Sequence, residues 1–130
     1  MDNTIKEDEI LYRMVKRSQP DTIDCHGRPT SALFKQDDGV SVDRDGKRLE
    51  DDIINTFKER FGIRFKGLVK VGAKICQEND ISVIPAPTEN IYHAEIFENA
   101  EKAPLGQLKA LILADSAEVV ILDASVKWTK

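Results

Sequence analysis

Residues 26–46 read HGRPTSALFKQDDGVSVDRDG. Two apolar runs, Ala32-Leu33-Phe34 and Val40-Ser41-Val42, flank the polar turn signal Asp37-Asp38-Gly39. The pattern predicts a β-hairpin pairing residues 31–35 with residues 39–44, because Asp and Gly favour turns and β-branched residues suit a pleated surface. In the second arm Val40 and Val42 fall on one face, Ser41 and Asp43 on the other. A hairpin here commits the chain to antiparallel pairing, so this stretch decides the fold class. It also gathers His26, Arg28, Thr30, Ser31, Asp43 and Arg44, yet it matches no catalytic or cofactor motif.

Working outward, ILYRMV at residues 10–15 is dense in β-formers and predicts a first strand, with a helical face as the competing reading. Pro20, Gly27 and Pro29 break the long connection that follows. Downstream, Ile53, Phe57 and Phe61 recur every fourth residue and Ile54 widens the stripe, which predicts an amphipathic helix over residues 49–61. Glu50, Asp51 and Asp52 load its first turn, Lys58 and Arg60 its last, and Gly62 stands where a helix ends. Strands are expected at residues 65–73, 81–84, 91–97 and 117–122, the last mostly buried, with one helical turn over 74–79. On residues 91–97, Ile91, His93, Glu95 and Phe97 share a face. A second helix is expected from Pro104 to about residue 115, with Leu105, Leu108, Ile112 and Leu111 as its core stripe. Strands and helices keep no strict alternation. The expected fold is α+β, a curved, largely antiparallel sheet of six or seven short strands with two main amphipathic helices.

With 130 residues, 41% hydrophobic and 32% charged, the chain suits one globular domain spanning residues 1–130, with polar, flexible tails at 1–8 and 123–130. The net charge of −4 carries no strongly basic footprint, so nucleic-acid binding is not expected. Polar residues after Met1 leave no apolar leader, and no run approaches the ~18 apolar residues of a membrane span. The two cysteines, Cys25 and Cys76, lie far apart, and a cytoplasmic protein with reduced thiols is expected.

Cys25, His26, Cys76 and His93 lack the paired spacing of a zinc site, so no metal is expected. No phosphate-binding glycine loop and no serine elbow appear, and no cofactor is expected. Two residues apart on one strand face, His93 and Glu95 suit a general base oriented by a carboxylate, or an ordinary half-exposed pair. Arg28, Arg44 and Lys47 beside Gly27 and Gly46 suit an anion site or solvated loops.

Two resemblances rest on these residues. The order Arg13, Thr30-Ser31, Glu95 resembles that of small ADP-ribosyltransferase folds. It would imply that Arg13 and Ser31 hold NAD and Glu95 activates the acceptor; His93 stands where those folds carry an acidic residue or glutamine. More broadly, LYR at 11–13, GRPTSALF at 27–34, GVSVDR at 39–44 and VIPAPTENIYHAEI at 83–96 resemble a family of small uncharacterised bacterial proteins. That family's pattern is approximately D-G-R-x-S-S-A-A-F, then L-S-V-D, then D-P-x-x-x-N-P-A-H-A-x-I. Thr30, Leu33, Ala86 and Ile91-Tyr92 depart from it. The resemblance implies a bacterial cytoplasmic protein of one domain and points to Arg28, Ser31, Asp43 and His93.

The expectation is a non-enzymatic binding or interaction module with a protein partner or self-association. Its mark would be an exposed apolar patch near Tyr92 or Trp128. The alternative is a small enzyme acting on a nucleotide-like or phosphate-bearing ligand, with His93, Glu95, Ser31 and Asp43 catalytic and Arg13, Arg28 and Arg44 binding.

Overall fold

The computed structural model describes residues 4–35 and 39–123. Six strands, β1 (Ile10–Lys16), β2 (Val40–Arg44), β3 (Phe65–Gly72), β4 (Ser82–Pro85), β5 (His93–Phe97) and β6 (Glu118–Leu122), make one open sheet. Their order is β4-β5-β2-β1-β3-β6, with every neighbouring pair antiparallel. Three helices complete the α+β fold: α1 (Glu50–Phe61), α2 (Ala73–Glu78) and α3 (Gln107–Ser116).

Helices cover both faces of the sheet. Leu11 and Val15 of β1, Val40 and Val42 of β2, and Val69 and Val71 of β3 cluster with Ala73 and Cys76 of α2 and with Ala110, Leu113 and Ala114 of α3. On the opposite face Tyr12, Met14 and Leu68 pack against Ile53 and Phe57 of α1, with Val120 and Ile121 of β6 at the edge. So α1 lies over β1, β3 and β6. Glu50 fastens its first turn there, accepting hydrogen bonds from Tyr12 Oη and Lys70 Nζ, both at 2.9 Å. Those two bonds hold the Glu50 carboxyl below its usual range, and burial together with the Glu50 charge raises Tyr12. Gly62 ends α1 at φ 55°, a conformation that glycine adopts without strain.

Four expectations need correction. Residues 31–35 are not a strand, because Ser31–Phe34 forms a 3₁₀ turn. From this turn the adjacent Leu33 and Phe34 both enter the core that α3 covers. β2 pairs with β1 and β5 instead, and residues 36–38 of the expected turn lie outside the described residues. α3 begins at Gln107, past Pro104, and its core stripe is Ala110, Leu113 and Ala114, while Leu108 and Leu111 face solvent. Leucine, isoleucine and alanine fall on every side of the middle of α3, so periodicity does not single out one face. β6 is a half-buried edge strand rather than a mostly buried one. Of the two tails, Ile5 packs into the core, whereas Trp128 lies outside the described residues.

Cys76 is fully buried in the core and its thiol is pushed up to about 12 by that burial, while Cys25 is exposed on a loop. Since the thiolate is the nucleophile, a thiol reagent is expected to label one cysteine per native chain and the second only in denaturant. Two fast labels in native buffer would contradict this packing.

Candidate ligand-binding cleft

Because α1 covers only one half of its face, the β2–β5 half stays open. The ladder sets what faces the opening: Ser41 pairs with Glu95 and Asp43 with His93. Cross-strand partners share a face, so these four side chains form a two-by-two polar group beside α1. His93 Nε2 lies 3.6 Å from Glu95 Oε2.

Asp43 anchors this group. Its side chain is only 3% exposed. Asn90 Nδ2 donates to its Oδ1 at 2.9 Å, and Arg48 Nη2 to its Oδ2 at 3.4 Å. The Arg60 guanidinium approaches the same oxygen at 3.6 Å. Arg48 is aimed by stacking on the Tyr92 ring, 3.6 Å from its centroid, and by donating to the Arg44 and Asp45 carbonyls. The ring needs Gly46 beside it, because a Cβ at that position would meet Tyr92 at 2.3 Å. Arg60 lies over both Phe57 and Phe61, 5.2 and 5.3 Å from their centroids. Among the described residues its N–H groups make no hydrogen bond; the Asp43 ion pair is its polar contact.

Arg13 closes the floor. The β1–β2 ladder covers only Leu11–Arg44 and Tyr12–Asp43. Past Tyr12, the Arg13 guanidinium takes over, donating to Leu33 O at 3.0 Å and Ser41 O at 2.9 Å. Burial pulls its pKa down to about 10, so it remains a cation at neutral pH.

These groups surround a cavity of ≈ 220 Å³ with Met14, Val42, Phe57 and Phe61 as apolar wall and Arg13, Lys16, Arg60, Ser41, Asp43 and His93 as polar wall. Its cations are Arg13, Lys16 and Arg60 and its anion is Asp43, a formal balance of +2 with His93 neutral. A second depression of ≈ 800 Å³ adjoins it across Arg60 and His93 and runs over Arg48, Asn90 and Tyr92.

Of the residues singled out from sequence, Asp43, His93 and Glu95 come together, and Arg13 borders them. Ser31 does not: its Oγ accepts from Gln107 Nε2 at the start of α3, on the opposite face. Arg28 donates to Ala117 O beside β6, also remote. Arg44 grips Glu9 through two bonds of 2.7 and 2.9 Å and donates to Thr4 O, which ties down the N-terminal segment. Burial would raise Glu9, but these bonds hold its carboxyl below the usual range. Arg13, Ser31 and Glu95 therefore do not form one spatial cluster.

Ser41, a candidate nucleophile from the sequence, does stand beside this group, whereas Lys16, Arg48, Arg60 and Asn90 escaped the sequence reading as site residues. Arg60 carried a signal, since it lies three residues after Phe57 and one before Phe61 on the apolar side of α1. Tyr92 is half-buried, with Arg48 stacked on its ring and Gly46 beside it, and its neighbour Ile91 is exposed. Among the described residues no cluster of His, Cys, Asp and Glu is placed to hold a metal, and no helix is long and apolar enough to cross a membrane. Comparison with known proteins yields no matching family model, no matching curated protein and no matching solved structure.

Proposed function

We propose that the protein is a non-enzymatic binding module whose cleft between α1 and β5 receives the anionic group of a small ligand or of an acidic partner. The observation that carries this is the +2 balance of the cavity wall within a chain of net charge −4. A concave site that concentrates one sign of charge focuses its field on ligands of the other. Arg60 adds a partly exposed guanidinium at the cleft, and its planar fork is the group best matched to a carboxylate or phosphate.

Thermal melts of the purified chain with phosphate and small carboxylates, against chloride at equal ionic strength, test this. A ligand at 100 times its dissociation constant stabilises by about 2.7 kcal/mol. That gain is expected in the parent and absent in Arg60→Gln. Equal gains in both would assign the effect to general salt stabilisation and overturn the proposal.

The polar group of Ser41, Asp43, His93 and Glu95 favours a second reading, a small enzyme acting on a phosphate-bearing ligand, with His93 as base and Glu95 orienting it. Turnover of a nucleotide by the parent and its loss in His93→Ala would support this reading. No turnover at high enzyme concentration would remove it.

A further inference from the structure

We infer that anion binding in this cleft is gated by pH through His93, an inference that rests on the anion-binding reading above and adds its regulation. His93 stands where the two depressions meet, and with Arg60 it belongs to both walls. Its side chain is 22% exposed, so solvent protons reach the ring. Between about pH 5 and 8 an imidazole gains or loses a full charge, as no other unperturbed side chain does.

The charged groups around the ring are of types that do not ordinarily titrate in that range. Strand β1 contributes Arg13 and Lys16, β2 contributes Asp43 and α1 contributes Arg60. Arg48 precedes α1, and the connection into β5 adds Glu89 and Tyr92. Strand β4 carries no charged side chain. On β5 itself, Glu95 Oε2 lies 3.6 Å from His93 Nε2. With His93 neutral the inner wall keeps its +2 balance, and a proton on the ring makes it +3. Both nitrogens of an imidazolium are donors, so Nε2 can serve Glu95 and Nδ1 still has a proton to donate. A unit charge about 4 Å from an anion is worth about fivefold in affinity in water-like surroundings. The coupling is reciprocal, so an anion in the cleft also holds the proton on His93.

Sulfate is the probe, because it keeps its charge through this range, whereas phosphate titrates within it. Its affinity for the full chain is measured by nuclear magnetic resonance titration at about pH 8 and about pH 6, at constant ionic strength. Sulfate is expected to bind about fivefold tighter at the lower pH. That difference is expected to vanish in His93→Gln and to persist in His26→Gln, which replaces the only other histidine. In the parent, saturating sulfate is expected to raise the midpoint of the His93 ring-proton titration by about 0.7 pH unit, the same factor of five. That measurement needs no variant, so it decides the matter should His93→Gln fail to fold. Equal sulfate affinity at both pH values, or an unmoved midpoint, would overturn the gate and leave the anion site standing. An undiminished pH difference in a folded His93→Gln would also overturn it. No saturable response to sulfate at either pH would overturn both the gate and the anion site.

Discussion

Asp43→Ala is expected to destabilise the fold by about 2–4 kcal/mol, read from urea denaturation followed by circular dichroism. Removing one member of a buried ion pair leaves its partners uncompensated and costs about 3–5 kcal/mol. Here Arg48 and Arg60 are 15% and 34% exposed, so water recovers part of that loss. Asn90 also loses its acceptor, which frees the connection between β4 and β5. Asp43→Asn keeps the shape but not the charge and should fall between parent and alanine. A double-mutant cycle with Arg60→Gln should show a coupling of about 0.5–3 kcal/mol, because the two residues meet directly. A change within ~0.5 kcal/mol for Asp43→Ala is the size expected of a surface site and would contradict the buried bridge.

Arg13→Met is the second large effect, with an expected loss of about 2–5 kcal/mol. Methionine fills much of the volume but donates nothing, and an unsatisfied buried acceptor costs about 1–3 kcal/mol. Among the described residues, Leu33 O and Ser41 O are acceptors left behind. Arg13→Lys should not restore stability, because one ammonium does not reproduce the fork that reaches two carbonyls on different segments. Full rescue by lysine would show that charge alone matters at this position. Loss of Arg13 should also weaken anion binding, since this residue lines the cavity.

Much of the secondary structure was legible because its periodicity was strong. The four-residue recurrence of Ile53, Phe57 and Phe61 marked α1, and Gly62 marked its end. The alternation of Val40 and Val42 with Ser41 and Asp43 put the right residues on the right faces of β2. SALF was misread because four residues are too few to separate a period of two from a turn of helix. Its conformation is set from outside, by Leu33 and Phe34 entering the core with Ala110 and Leu113 of α3 above them. The same limit hid the face of α3, whose Leu108, Leu111 and Leu113 look alike until the sheet selects one side.

The site was half legible. Asp43 and His93 stood out as polar residues inside strands, but nothing local says that β2 and β5 are neighbours. That pairing brings positions 50 residues apart into register, Asp43 opposite His93. Arg60 was visible only as a cation suited to the end of a helix. Its meeting with Asp43 depends on where α1 lies across the sheet. Ser31, Arg28 and Arg44 looked equally chemical, yet they serve the packing of α3, β6 and the N-terminal segment.

The most direct test of the cleft is a measurement of where an anion sits. In an isotope-labelled sample titrated with phosphate against chloride at equal ionic strength, saturable shift changes are expected at Lys16, Ser41, Arg60 and His93, the polar residues of the cleft. Changes confined to residues elsewhere, with those four silent, would contradict a binding site between α1 and β5.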